Sequence, residues 1–204
     1  MKKILLLALL VVATFAANAQ FEGSKQVFES PNLKSEIAKH KIVAILPFAT
    51  RISFRKPPKD YSAEANKAQE DKLSTSIQSS LYTFLLRKAS NYSVEFQDVE
   101  RTNVLLRKAG VFDKLNEMTK DEIAKILQVD AVIGGNFETE QTRSEAGAIA
   151  TTILFGGIGS KTGTGTLTLT INDGEKGALI WRFFKSMDDN VLSSPDVLVE
   201  RMMR

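Results

Sequence analysis

The sequence predicts an α/β or α+β fold in which a mixed β-sheet of about five or six strands is flanked by helices. An apolar run at 41–48 is followed by long amphipathic segments, so strands and helices alternate in the first two thirds of the chain. After residue 138 short alternating segments and glycine-rich turns follow, which is typical of antiparallel hairpins. Ser194-Pro195 then predicts the N-cap and first turn of a short last helix.

Residues 1–19 have the pattern of a secretory signal peptide. Lys2 and Lys3 precede an apolar run that ends at Ala17, and Ala17-Asn18-Ala19 matches a small-residue cleavage site. The run is shorter than the ~20 residues that a membrane-spanning helix needs. We therefore expect cleavage between Ala19 and Gln20 and a location in the periplasm or outside the cell.

The composition limits the possible partners and bonds. The chain has no cysteine, so we expect neither disulfide bonds nor a lipid on an N-terminal cysteine. The formal net charge is +3, and Lys2 and Lys3 contribute two of these charges. Because nucleic-acid binders usually carry a strong positive excess, we expect no nucleic-acid partner. The expected organisation is a signal peptide (1–19), a polar N-terminal lead-in (20–40) and a single α/β envelope domain (41–204).

The first half of the domain begins with KIVAILPF at 41–48, whose continuous apolar run predicts a strand covered on both faces. Residues 51–61 hold two prolines and four basic residues, which predicts a loop. A long helix is predicted at 62–89 because large apolar residues recur at spacings of three and four, with Gln78 on the opposite face. These apolar residues are Leu73, Ile77, Leu81, Phe84 and Leu85.

Local signals mark the next elements. The alternation in 92–98 predicts a second strand, and Asp98 is a suitable N-cap for a helix that stops at Gly110. Thr119 and Glu122 have the spacing of a capping box, which predicts the start of another helix.

Four further segments are predicted to be strands. VDAVIGGNFE at 129–138 is the first, and its paired glycines indicate a bulge or a close backbone approach. Segments 148–155, 164–171 and 178–186 follow, and NDGEKG at 172–177 has the composition of a hairpin turn.

The stretch TTILFGGIGSKTGTG, 151–165, resembles a phosphate-binding loop at first sight. Ser160 separates Gly159 from Lys161, however, and the residues that follow favour a strand, so we expect no nucleotide site. A flexible hairpin connection is the expected structure. The alternative is membrane contact, since the alternation in 148–171 could supply one transmembrane hairpin of an oligomeric barrel.

Few residues are candidates for chemistry. His40 is the only histidine and is expected to be a solvated residue before the first strand. We therefore predict no catalytic residue, no metal site and no cofactor. Glu138 and Glu140 share a strand face and could form a carboxylate pair near Glu145, and Asp188-Asp189 follows the last strand. We expect both groups of carboxylates to lie on solvent-exposed faces without a chemical role.

Two segments are candidate partner contacts. The basic, partly apolar segment after the first strand could meet an anionic partner or surface, because loops at the carboxyl ends of strands often carry binding. A plain solvated loop is the alternative. The second segment is the tip of the glycine-rich stretch. The candidate residues are Arg51, Phe54, Arg55, Lys56, Phe155, Ile158 and Lys161.

Four segments carry a family resemblance: Val43–Phe48, Val99–Leu106 with Arg101, Ile123–Gly134 with Asp130, and the strand pair from Gly177 to Trp181. Together they resemble the shared domain of the penicillin-binding-protein activator lipoproteins and the curli-secretion-channel lipoproteins. The resemblance covers roughly residues 41–186 and implies a periplasmic α/β domain without catalysis that binds other envelope proteins. The chain departs from both families because it has no lipobox cysteine, and it has no long disordered tether before the domain.

The favoured hypothesis is a non-enzymatic, exported protein-binding or assembly-accessory module of the bacterial cell envelope. It would dock on an envelope or outer-membrane protein through loops and a sheet edge, and a homo-oligomer is possible. The first alternative is a subunit of an oligomeric outer-membrane secretion pore that inserts the 148–171 hairpin. The second is a carboxylate-dependent hydrolase that uses Glu138 and Glu140.

Overall fold

The computed structural model describes residues 25–141, 163–188 and 195–203. Two 3₁₀ helices span Ala89–Asn91 and Phe112–Glu117. The strands in these ranges are β1 (Lys25–Glu29), β2 (Ile42–Ile45), β3 (Ala49–Phe54), β4 (Glu95–Phe96), β5 (Ala131–Gln141), β6 (Gly163–Asp173) and β7 (Leu179–Asp188). The α-helices are α1 (Leu33–Ile37), α2 (Ala63–Leu86), α3 (Val99–Lys108), α4 (Lys120–Leu127) and α5 (Pro195–Met202).

The seven strands form one mixed sheet in the order β1-β7-β6-β5-β2-β4, and β3 pairs with β5 beside β2. β5, β6, β7 and β1 are antiparallel neighbours, whereas β2 and β3 run parallel to β5 and β4 runs parallel to β2. The predicted mixed sheet with flanking helices is confirmed, with seven strands instead of five or six. The predicted turn is also confirmed, since Asp173 accepts a hydrogen bond from Gly177 N–H between β6 and β7.

Strand β2 is buried on both faces, as its continuous apolar run predicts. Val43 and Ile45 belong to the core cluster beneath α2 and α5. Ala44 and Leu46 point the other way, into a second cluster with α3 and α4. Helices therefore cover both faces of the sheet at β2. The five large apolar residues predicted for one face of α2 are all buried.

Residues 49–54 form strand β3, so the prediction of a loop starting at residue 51 was wrong. Ile52 is buried in the core, while Arg51 lies on the opposite face and is exposed. Such alternation supports a strand, and β5 offers a parallel partner for it. The two prolines affect only the chain beyond β3.

A bulge separates β2 from β3. Ile45 pairs with Ile133 and Ala49 pairs with Asn136, so the three residues 46–48 lie opposite two residues of β5. A Cβ atom on Gly135 would lie 2.5 Å from the Phe48 ring and 2.7 Å from the carbonyl oxygen of Thr168. Only glycine fits there, which confirms the close backbone approach, one of the two alternatives predicted for this segment.

The predicted helix ends are also confirmed. The Asp98 carboxylate accepts hydrogen bonds from the backbone N–H groups of Glu100 and Arg101 at 2.9 and 3.0 Å. Gly110 adopts φ +70° after α3, a conformation that glycine reaches without strain. Thr119 and Glu122 form the capping box. Residues 92–98, by contrast, contribute only the two-residue strand β4.

Gln78 does not lie on the solvent face of α2 as predicted, because α2 packs against both β2 and α3. Gln78 is fully buried and donates through Nε2 to the carbonyl oxygen of Ile45 at 2.7 Å. Its side-chain amide also exchanges two 3.0 Å hydrogen bonds with that of Asn103. These bonds satisfy the polar groups, which makes the burial possible.

The N-terminal lead-in contributes two elements that the sequence analysis did not identify. Strand β1 pairs antiparallel with β7 and extends the sheet, and the short helix α1 follows it. Among the described helices, none is long and apolar enough to cross a membrane.

Candidate docking surface

One face of the sheet carries no packed helix of the described ranges across β1, β7, most of β6 and the second half of β5. Helices α3 and α4 cover this side of the sheet only at β2, the start of β5 and the end of β6 that pairs with it. The uncovered side chains are exposed or half-buried, and we call this surface the open face. It consists of Gln26, Phe28, Arg51, Asn136, Glu138, Thr166, Thr168, Thr170, Arg182 and Phe184.

The alternation in β6 produces the centre of the open face. Leu167 and Leu169 are buried in the core, so Thr166 and Thr168 point to the other side and are half-buried. Threonine is β-branched, which favours a strand, and its hydroxyl group tolerates water. The strand is therefore stable without a helix over its polar side.

Exposed charges of both signs lie along one side of the open face. Arg51 of β3 is the register partner of Glu138 of β5, and both side chains are exposed. Beyond the end of β3, Arg55 Nε lies 3.7 Å from Glu140 Oε1. Each glutamate thus has a basic neighbour on a solvated surface, as expected of a solvated face. This arrangement lacks the enclosed pocket in which a carboxylate usually becomes a general acid.

The candidate partner contacts do not form one cluster. Arg51 belongs to the open face, and Arg55 and Lys56 follow β3 and are exposed. Phe54 points to the opposite side, packs against the core and meets the Tyr61 ring edge-to-face with 5.7 Å between ring centroids. Phe155, Ile158 and Lys161 lie outside the described residues, as do Glu145, Asp189 and the segment 148–155. Of the predicted membrane hairpin 148–171, residues 163–171 belong to β6, which pairs with β5 and β7 and buries Leu167 and Leu169 in the core. The part before residue 163 stays a prediction.

The margin of the open face near β1 contains a shallow cleft with a volume of about 340 Å³. Two aromatic rings, those of Phe28 and Phe184, line it together with Gln26 and Arg182. Aromatic and arginine side chains are enriched in protein–protein interfaces relative to other surfaces. This margin consequently has the composition of a protein contact.

A second cavity lies on the other side of the sheet, between the strands, α2 and α5, and has a volume of about 280 Å³. Its walls are almost entirely apolar and include Leu81, Phe96, Ile133, Trp181 and Met203. His40 lies on the wall of this cavity and forms a hydrogen bond with Asp173.

His40 is buried, so the prediction of a solvated histidine was wrong. Its side chain is 4% exposed, and Nε2 lies 3.0 Å from Oδ1 of Asp173. Asp173 also accepts the backbone N–H groups of Glu175 and Lys176. Burial by itself raises the pKa of Asp173, but these hydrogen bonds outweigh it and hold the pKa below its ordinary value. The pair connects the start of β2 to the β6–β7 turn.

Asp130, the aspartate marked in the family resemblance, has a related structural role. Its Oδ2 accepts the backbone N–H groups of Lys41 at 2.7 Å and Ile42 at 2.9 Å. The bond from Ile42 has the largest effect on the pKa of Asp130; burial opposes it, and the bond from Lys41 adds to it, so the pKa lies below its ordinary value. The carboxylate thereby fixes the first residue of β2 beside β5.

No protein-family model matches this sequence, and no curated protein matches it. Solved structures match at the level of the fold. PelC from Paraburkholderia phytofirmans, solved as a dodecamer, is 12% identical with a TM-score of 0.39, covering 89% of this chain and 93% of PelC. Lipoprotein GNA1162 from Neisseria meningitidis is 10% identical with a TM-score of 0.44, covering 73% of this chain and 81% of its own.

The C-terminal domain of LpoB from Salmonella enterica is 12% identical with a TM-score of 0.38, covering 78% of this chain and 94% of that domain. LpoB is a penicillin-binding-protein activator lipoprotein, so a member of one family in the sequence resemblance is among these matches. The likeness is remote, and neither activity nor partners follow from it.

Proposed function

We propose that this chain is a non-enzymatic, exported protein-binding or assembly-accessory module of the bacterial cell envelope. The observation that carries the proposal is the open face, a broad polar sheet surface on which no described helix packs. The signal-peptide pattern supports export. The resemblance of the sequence to envelope lipoproteins supports the location and the class of partner.

The composition of the open face favours a protein partner. Arg51, Arg182 and Glu138 place both charge signs on it, so a partner with a mixed surface could form complementary pairs. The threonines of β6 supply short, stiff hydroxyl groups, while Phe28 and Phe184 supply apolar area at one margin. Binding through such a surface requires neither a cofactor nor a covalent step.

The test uses a photo-crosslinking amino acid at position 138, in the middle of the open face, in cells that produce the full chain. We expect capture of a defined envelope protein. Arg182→Glu in the same chain should reduce the captured amount about tenfold, the effect of losing ~1.4 kcal/mol of binding free energy.

Lys72→Glu is the matched control because it makes the same charge change on the exposed side of α2. It should leave capture unchanged. Equal losses from the two reversals would exclude the open face as the docking surface. Turnover of a nucleotide, ester or glycan by the purified protein, abolished by a point mutation, would contradict the non-enzymatic part of the proposal.

A further inference from the structure

Strand β1 is an exposed edge of the sheet. All five of its residues are exposed, including Val27 at 49% and Phe28 at 48%. Within the described residues, β1 pairs only with β7, so its other side meets no strand. An edge of this kind presents backbone donors and acceptors to which a further strand can bind.

The hydrogen bonds to β7 determine which backbone groups point outward. Ser30 N–H donates to the carbonyl oxygen of Ile180 at 2.9 Å, so residues 30 and 180 face each other in a hydrogen-bonded position. In an antiparallel pair such positions alternate along the strand. Phe28 and Gln26 therefore bond towards β7, and the N–H and C=O groups of Lys25, Val27 and Glu29 point away from β7.

The order of residues in β1, Lys-Gln-Val-Phe-Glu, is complementary to itself when the strand is reversed. We propose that two copies of this chain pair through β1, antiparallel, about a twofold axis at Val27. Val27 then lies opposite Val27 of the second copy, and Lys25 lies opposite Glu29 at both ends. The same three residues carry the outward backbone groups, so each of these positions closes with hydrogen bonds.

Other pairings of two β1 strands fit less well. A parallel, in-register pair places lysine beside lysine and glutamate beside glutamate. An antiparallel pair shifted by two residues places Val27 opposite a charge and leaves another charge beyond the end of the facing strand. Like charges on neighbouring strands are destabilising, and opposite charges are stabilising. The charge pattern therefore selects both the direction and the register.

The geometry of Lys25 is compatible with this pairing. Its Nζ lies 5.6 Å from the centroid of the Phe183 ring, on the side of the sheet that Glu29 shares. A glutamate of the second copy would approach Lys25 on this side and would not need to displace the ring. The facing charges thus lie on one face of the joined sheet.

Pairing would join the two open faces. A twofold axis between antiparallel strands is perpendicular to the sheet, so equivalent faces of both copies lie on the same side. Phe28 and Gln26 of each copy would lie at the junction. The proposed dimer and the proposed function are independent of each other. A chain that does not dimerise still has its open face, and a chain that binds no envelope protein through that face could still pair through β1.

The first experiment measures the mass of the purified protein by sedimentation at increasing concentration. Because the contact is only five residues long, we expect a weak dimer whose share rises with concentration. Val27→Pro should remain monomeric, since proline removes an outward N–H group and leaves the bonds to β7 intact. Val27→Thr, which keeps the N–H group, should dimerise like the wild type.

Two results of this experiment would overturn the proposal. One is a wild-type chain that stays monomeric up to about 1 mM, because a Kd above that concentration corresponds to a binding free energy weaker than ~4 kcal/mol. The other is a folded Val27→Pro variant that dimerises as the wild type does. Circular dichroism establishes that each variant is folded.

Charge exchange provides a second test that does not depend on comparing stabilities. Glu29→Lys alone and Lys25→Glu alone each place like charges at both ends of the pair, so each variant should stay monomeric. An equimolar mixture restores both opposite-charge pairs and should form a heterodimer. Failure of the mixture to associate, when the wild type does, would contradict the proposed register.

Disulfide cross-linking tests the register directly, because the chain has no cysteine of its own. Two Val27→Cys chains would bring Cα atoms to about 5.5 Å, within the range of a disulfide. Two Gln26→Cys chains would be diagonal neighbours at ~7–8 Å, beyond that range. Equal or greater cross-linking at position 26 would contradict the axis at Val27, and so would exclusive cross-linking of β1 to a different protein in cells.

Discussion

At strand β3, helix α2 occupies the edge of the sheet, whereas at strand β1 no helix or strand within residues 25–141, 163–188 and 195–203 covers the edge. Glu70 of α2 accepts the backbone N–H of Ile52 at 2.8 Å, and Asn66 donates to the carbonyl oxygen of the same residue at 3.1 Å. On β1 the equivalent outward groups belong to Lys25, Val27 and Glu29, and these residues are exposed.

The difference shows how one sheet can block one edge and keep another available. Side chains of α2 take the positions that an added strand would need at β3. Folded proteins commonly protect edges in this way because free edges recruit other chains. An edge that is left uncovered and that also carries complementary charges is therefore a candidate for use in pairing, as proposed for β1.

The largest effect on stability is expected at Gly135 of β5, beside the bulge between β2 and β3. Gly135→Ala would push a methyl group against the Phe48 ring and the carbonyl oxygen of Thr168, at 2.5 and 2.7 Å. Because the carbonyl group belongs to a paired backbone, we expect a loss of about 3 kcal/mol in the free energy of unfolding. Urea unfolding measures it.

Gly134→Ala is the matched control for that substitution. Its added methyl group would meet the nearest atoms, on Thr170 and Leu46, at 3.6 and 3.9 Å, which is ordinary contact. The stability should stay within about 1 kcal/mol of the wild type. If both variants lost the same stability, the close approach at Phe48 would not be the reason that glycine is needed.

A smaller effect on stability is expected from removing the hydrogen bond between α2 and the edge of the sheet at β3. Glu70→Ala leaves the N–H of Ile52 without its acceptor, and Ile52 is only 4% exposed. We expect a loss of about 1–3 kcal/mol, the cost of an unsatisfied buried donor. Glu70→Gln retains an acceptor oxygen and should lose less, so equal losses in the two variants would argue against the hydrogen bond as the cause.

Acid should weaken the hydrogen bonds that join β2 to the β6–β7 turn. The pKa of Asp173 in the folded protein lies below its ordinary value of 3.8, so its contribution is complete above that pH. It should be lost as the pH falls through the lower, folded pKa. Asp173→Asn should flatten this part of the curve of unfolding free energy against pH. An unchanged curve would mean that other carboxylates determine it.

The smallest effect is expected at the uncovered edge. Val27→Thr changes a half-exposed side chain and leaves every backbone group in place. In dilute protein, where the chain is monomeric, its free energy of unfolding should lie within about 0.5 kcal/mol of the wild type. A loss as large as that of Glu70→Ala would mean that β1 is as deeply involved in the monomer as β3 is.

Much of the fold could be predicted because the relevant signals are local. Thr119 and Glu122 are three residues apart, and the capping box that they form needs nothing else in the chain. The Leu/Thr alternation in β6 predicts a strand with one apolar and one polar side, and the polar side became part of the open face. That its threonines would remain uncovered could not be predicted, because this depends on where α3 and α4 pack.

The sequence alone determined the alternation of strands and helices, the helix ends, the two-sided burial of β2 and the need for glycine beside the bulge. Periodicity, caps and backbone permissiveness act over a few neighbouring residues, so they can be read along the chain. Tertiary structure alone decided that β1 and β3 become strands at two different edges, and that His40 is buried. His40 meets Asp173 across 133 residues, and Gln78 meets Asn103 across 25, so only the folded arrangement of distant segments supplies their partners.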